Sequence, residues 1–250
     1  VCRVTRQLLN RVRRTPRPVD PARAAHGARG LAFAVLTGVG TGVLVVAVAL
    51  LVRGQWSPLV RLDEGAVQAG TRLAAAEPGL LRTLVVWQTV FLARNLVVPV
   101  LALCAWYWWR TRDTARACWA GATVLVGWAL SNLLKELVRR ARPVLDEPVE
   151  VAHGYSFPSG HATNTALMTT VLVLLVWPAL RSRGLRVAAV STAAVLTLLT
   201  ALDRVMLGVH YPSDVVAGML LGVGFALASY LGFRHWYQPQ SRPHDEKGAA

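Results

Sequence analysis

Apolar positions along the chain gather into long runs separated by short charged segments, and this pattern predicts a bundle of membrane-spanning helices. Residues 31–52 form a continuous apolar run that ends at Arg53. The run is longer than the core of a signal peptide, so it reads as an uncleaved spanning helix. Residues 56–82 are mixed: Leu59, Val60, Ala66, Val67, Leu73 and Ala74 recur at helical spacing, with Asp63 interrupting the stripe. That is the signature of an amphipathic helix lying on the outer interface, and Glu77-Pro78-Gly79 ends it. A second span covers residues 83–109 and closes on Trp106-Tyr107-Trp108-Trp109, an interfacial aromatic belt. Arg94 and Asn95 lie inside it. A charge in hydrocarbon is costly, so Arg94 is expected to face the bundle interior or a wet cavity. Residues 117–138, 162–180, 186–202 and 214–233 give the remaining four spans. The fold class expected is all-α, a six-span bundle with one interfacial helix.

Composition agrees with that pattern. Of the 250 residues, 54% are hydrophobic and only 16% charged, against about 25% charged in soluble domains. The net charge of +14 comes nearly all from Arg. These arginines cluster between the apolar runs, which points to anchoring in an anionic bilayer and not to nucleic acid. Residues 1–30 (Arg3, Arg6, Arg11, Arg13, Arg14, Arg17, Arg23, Arg29) read as a largely disordered cytoplasmic arm with room for a short surface helix, and residues 234–250 as a disordered cytoplasmic tail. Residues 31–233 form one membrane domain. Cys2, Cys104 and Cys118 have neither a pairing pattern nor zinc-ligand spacing.

An even number of spans puts both termini on one side, and the positive-inside rule makes that side the cytoplasm. The segments 53–82, 135–160 and 203–213 then share the outer face. The second of them carries Lys135, Arg139, Arg140 and Arg142 against the rule. Anion binding supplies a reason for cations that topology does not require.

Three motifs fall on this face. In the first, Lys135 and Arg142 are seven residues apart, two helical turns, so they are expected to share a face before Pro143 stops the helix. The second is Pro158-Ser159-Gly160-His161, a break followed at once by a long helix. Ser159 is a suitable cap, and the unpaired N–H groups of the first turn favour an anion. In the third, Asp203-Arg204 is followed by His210 and, four residues later, Asp214. A carboxylate there can hold the imidazole, fix its tautomer and make its other nitrogen a better nucleophile. Three cations, a helix N-terminus, two histidines and an orienting carboxylate are the parts that phosphoryl transfer needs. No acidic cluster suited to magnesium or calcium accompanies them, so a metal-free route is expected, with no cofactor.

Lys135-x6-Arg142-Pro143, Pro158-Ser159-Gly160-His161 and Arg204-x5-His210-x3-Asp214, in that order and spacing, resemble the three signature motifs of the type 2 phosphatidic acid phosphatase (PAP2) superfamily. The resemblance covers residues 60–233 and extends to the six-span layout of its integral-membrane bacterial branch. It implies that Lys135, Arg142 and Arg204 hold phosphate, with Ser159 and Gly160 lending hydrogen bonds. It further implies that His210 is a nucleophile forming a phosphohistidine, oriented by Asp214, and that His161 is the general acid. The third motif of the family usually opens Ser-Arg; here Asp203 stands before Arg204, which bears on affinity and substrate choice. The expected substrate is a lipid phosphate in the outer leaflet: polyprenyl diphosphate, phosphatidic acid or phosphatidylglycerol phosphate. A phosphotransferase using the same residues, and a non-catalytic anion- or lipid-binding membrane protein, are the alternatives.

Overall fold

The computed structural model describes residues 21–145, 148, 150 and 152–237, with side chains from residue 30 onward. Among the described residues eight α-helices follow in order: α1 (Pro21–Arg53), α2 (Ser57–Ala76), α3 (Pro78–Val90), α4 (Ala93–Thr111), α5 (Thr114–Val138), α6 (Gly160–Val176), α7 (Arg183–Met206) and α8 (Pro212–Trp236). A single 3-10 turn, Trp177–Ala179, extends α6. Five of these helices are long and apolar enough to cross a bilayer, and α3 with α4 makes a sixth span bent by 51°. The architecture is a six-span helical bundle with α2 as the interfacial helix between the first and second spans.

Two local results differ from the sequence pattern. The second span is not one helix: it breaks at Phe91-Leu92, and Asn95 donates its side-chain N–H to the Thr89 carbonyl at 2.6 Å, covering a group the break sets free. Arg94 therefore sits in the first turn of α4, where it is exposed and does not face the bundle interior. In addition, α1 begins at Pro21, so residues 21–30 lead into the first span as one helix and do not stop short of it. Residues 1–20, Cys2 and residues 238–250 lie outside the described part, while Cys104 and Cys118 are free thiols.

The core explains how the ends are placed. Leu167, Met168, Val171 and Leu175 of α6 pack with Val124 of α5 and Ala226 of α8 at the centre of the bundle. The α6–α8 contact is closer still. A Cβ on Gly222 would lie 2.5 Å from the Thr163 carbonyl oxygen and 2.8 Å from the Leu167 nitrogen, so the two backbones touch with no room for a side chain. Helix α1 runs antiparallel to α8, with Gly30 facing His235 and Val45 packed near Leu221. The start of α1 and the end of α8 therefore share one end of the bundle. The opposite end gathers the C-termini of α5 and α7, the N-termini of α6 and α8, and helix α2.

Gly222→Val must push backbone against backbone, and overpacking of this kind costs about 1–3 kcal/mol. We expect the melting temperature of the detergent-solubilised protein to fall by several degrees. Gly40→Val, at a position with open space around it, should leave it unchanged.

Candidate active site

The seven charged and hydroxyl-bearing residues named by the sequence motifs, and Gly160, lie together at the end of the bundle opposite the start of α1. Lys135, in the last turn of α5, donates from Nζ to the Tyr155 carbonyl at 3.0 Å and lies against Gly160, where a Cβ would meet its Cε at 3.5 Å. The helix stops at Val138, because Arg139 turns into the left-handed region (φ 51°) and donates its N–H back to the Lys135 carbonyl. Lys135 and Arg142 therefore do not share a helical face, and Pro143 is not what ends the helix. Arg142 reaches the site from the following loop. Its Nε donates to the Gly154 carbonyl at 3.0 Å, Nη2 to the His153 carbonyl at 3.0 Å and Nη1 to the Val209 carbonyl at 2.7 Å. The fork ties two loops together.

Helix α6 opens at Ser159, whose backbone N–H donates to the Asp214 carbonyl at 3.0 Å. That bond locks the start of α6 to the start of α8. Ser159 occupies the N-cap position but its side chain caps nothing; its hydroxyl is buried and without a partner. The first-turn N–H groups of α6 thus remain available, as any helix leaves them. Gly208, with φ +71° and the side chains of Leu145 and Thr71 where a Cβ would stand, makes the tight turn between α7 and α8.

His210 follows that turn and is 3% exposed. Its hydrogen bonds fix one consistent tautomer. Ser156 Oγ donates to Asp214 Oδ2, so it accepts from the ring Nδ1–H, 3.3 Å away. On the other side Arg142 Nη1 donates to Nε2 at 3.2 Å. The Nε2 lone pair is therefore aimed at a cation suited to phosphate. Asp214 Oδ2 is 3.6 Å from Nδ1, and Ser156 supplements that long contact. Burial holds the His210 pKa down to about 4, with Asp214 opposing the shift, so the ring is neutral at neutral pH. Burial also lowers the Arg142 pKa.

Arg204 is held by its neighbour. Nε donates to Asp203 Oδ2 at 2.8 Å and Nη2 donates to the same oxygen. Asp203 thus steers the guanidinium. Gln88, from the last turn of α3, joins two parts of the site: its Oε1 accepts from Arg204 Nη2 at 2.9 Å and its carbonyl lies 3.2 Å from His161 Nε2.

Four residues here escaped the sequence reading. Ser156 and Gln88 carry no spacing signal. Arg140 was visible only as one of four surplus cations; it donates to Asp214 Oδ1 at 2.6 Å and to Asp63 Oδ2 at 2.7 Å. Asp63, the polar break in the apolar stripe of α2, belongs to its buried face with Val67, Thr71 and Ala74. The one signal that could have found it was a carboxylate on the inner side of an amphipathic helix. Among the described residues, no group of three or more His, Cys, Asp or Glu side chains is arranged to hold a metal ion. The buried carboxylates Asp63, Asp203 and Asp214 are each engaged by a guanidinium.

Residues 116–238 match the family model of the PAP2 superfamily. Over 108 residues the chain is 44% identical to the decaprenylphosphoryl-5-phosphoribose phosphatase of Mycobacterium tuberculosis, covering 41% of this chain and 53% of that protein. It is 35% identical over 134 residues to the lipid A 1-phosphatase of Rhizobium johnstonii, covering 46% and 48% respectively. The chain therefore spans about half the length of these curated relatives. The crystal structure of a transmembrane PAP2-type phosphatidylglycerolphosphate phosphatase from Bacillus subtilis has the same fold, with a TM-score of 0.72, 22% identity, and coverage of 82% of this chain and 100% of that one.

Arg142→Lys keeps the charge but replaces a fork by a point donor. Lost hydrogen bonds to a charged group are worth about 1.5–3 kcal/mol. We expect proteolytic cleavage between α5 and α6 to become roughly tenfold faster or more, while Arg139→Lys leaves it unchanged.

Proposed function

The chain belongs to the PAP2 superfamily, and on that premise we propose that it is a membrane lipid phosphatase working through a phosphohistidine. The observation that carries this reading is the aim of the His210 Nε2 lone pair at Arg142. A phosphate drawn to Arg142, Lys135 and Arg204 has its phosphorus presented to that lone pair. Nε2 attacks in line as the bond to the leaving oxygen lengthens, and charge building on the non-bridging oxygens is met by the three cations and the first-turn N–H groups of α6. The Ser159 hydroxyl, buried and unpaired, is a further donor. As Nε2 becomes phosphorylated the ring gains positive charge, which Asp214 and Ser156 stabilise at Nδ1–H.

His161, starting as the imidazolium, gives its second ring proton to the leaving oxygen, and the neutral ring that results later takes a proton from the water that attacks the phosphohistidine. Its Nε2 contact with the Gln88 carbonyl leaves Nδ1 as the nitrogen facing that task. Water then releases phosphate and restores His210. Because Asp63, Asp203 and Asp214 are committed to arginines, the charge neutralisation falls to side chains, without metal.

The substrate class follows from where the site sits. It lies at the end of a spanning bundle, so a lipid can remain in the bilayer while its head group enters. An apolar crevice of about 530 Å³ between α6, α7 and α8, lined by Val173, Val190, Ala194 and Met219 among others, supports an apolar tail. The decaprenyl compound in the name of one relative supports a polyprenyl carrier over a diacyl lipid. We place the site on the extracytoplasmic face of the plasma membrane and both termini in the cytoplasm, on the charge distribution between the spans.

Purified protein given polyprenyl diphosphate, phosphatidic acid or phosphatidylglycerol phosphate in detergent should release phosphate from at least one of them. His210→Ala should lower release by three orders of magnitude or more, on the order of other lost nucleophiles, with the melting temperature retained. Wild-type rates in that variant would remove the nucleophile assignment. EDTA should leave the rate intact; a loss restored by a divalent ion would refute the metal-free route. The pH dependence follows from the buried ring. His210 is depressed, so nucleophile is lost only as pH falls through about 4. Burst formation of phosphohistidine should persist at about pH 5.5, where an ordinary histidine is mostly protonated, given a substrate whose charge is constant over the range. A burst that disappears around the ordinary value would contradict this account.

A further inference from the structure

We infer that Asp63, on the interfacial helix α2, is a positioning residue for His210 that acts through Arg140 and Asp214. The inference rests on the phosphatase reading for what His210 does, though not for how the ring is held. Asp63 lies outside the family-matched segment 116–238. It is fully buried, at 0% exposure. Docking an amphipathic helix does not require this; Val67 and Ala74 on the same face are apolar and equally buried, and burying a charge is costly unless it is paired.

The pairing is specific. Arg140 stands between two carboxylates, 2.7 Å from Asp63 Oδ2 and 2.6 Å from Asp214 Oδ1, with its guanidinium 4.0 Å from the centre of the Tyr211 ring. Asp63 Oδ1 also accepts from the Ser213 N–H at 3.0 Å, and Arg140 donates to the Ser213 hydroxyl at 2.7 Å. Asp63 thus acts in two ways. It holds the first turn of α8, which carries Asp214. It also shares the charge of Arg140, which would otherwise fall wholly on Asp214 Oδ1. With that charge shared, Asp214 keeps the electron density that Oδ2 offers to Ser156 and the Tyr211 N–H, and through Ser156 to His210 Nδ1–H. The charged and titratable groups around His210 are Asp214, Arg142, Lys135 and His161. None of Lys135, Arg142 and Arg204 has Asp63 as a partner. Phosphate binding should therefore survive its loss while the ring's reactivity does not.

The test uses the full chain in detergent, as wild type, as Asp63→Asn and as the neutral pair Asp63→Asn/Arg140→Gln. The probes are polyprenyl diphosphate and phosphatidic acid, with phosphohistidine counted after alkaline quenching to give the active fraction. Per active site, both variants should lose kcat by roughly ten- to a hundredfold, the loss expected when a hydrogen bond to a charged group is removed, with KM within about twofold. The double variant should be the more impaired, because it also takes from the buried Asp214 the guanidinium that neutralises it. The ¹⁵N-histidine spectrum should move His210 from a single Nδ1–H tautomer towards a mixture. Should the single variant not fold, the neutral pair alone decides. Wild-type kcat per active site together with a wild-type His210 spectrum, in either folded variant, would overturn the inference. Absence of phosphate release from the wild type would instead strike the phosphatase reading, and the ring spectrum would still settle whether Asp63 positions His210.

Discussion

Buried charge must be neutralised where it stands, and this constraint organises the reactive end of the molecule. Asp63, Asp203 and Asp214 are almost wholly buried, and Arg204 is 3% exposed. In low dielectric each would be prohibitive alone. Each is therefore locked to a partner: Asp203 to Arg204, and Asp63 and Asp214 to the single guanidinium of Arg140. A charge held this way cannot wander. The cost of desolvation is already met by folding, so these groups are held in fixed positions and need little rearrangement.

The fold was legible to the extent that hydropathy determines it. Continuous apolar runs are unambiguous, and the amphipathic stripe of α2 was recognisable between them. What stayed hidden was where helices stop for reasons other than Pro or Gly. Arg139 ends α5 in a left-handed conformation that glycine usually supplies, and α3 parts from α4 at Phe91-Leu92, with no proline or glycine at the break itself. Arg94 looked like an intramembrane charge because the break was invisible.

The site was legible in its motif residues and opaque in its supports. His161, Arg204, His210 and Asp214 stand out because their residue types and spacings match a chemical task. Ser156, Gln88, Arg140 and Asp63 support them from four separate stretches, and a contact across 58 or 150 residues of sequence leaves no local periodicity. Lys135 and Arg142 show the reverse case. They do arrive in one site, yet by a helix end and a loop and not by a shared helical face. Right residues and wrong geometry can coexist because a motif records which side chains meet, not the path that brings them together.

The main-chain contact between α6 and α8 has a consequence for how such a protein can change over time. The spacing of the two turns that bear His161 and Asp214 is set by glycine packing and by one amide-to-carbonyl bond from Ser159, not by the bulk of side chains. Outward-facing residues are thereby released from any part in setting that spacing. They can drift with the composition of the host bilayer, and the spacing of those two turns need not drift with them.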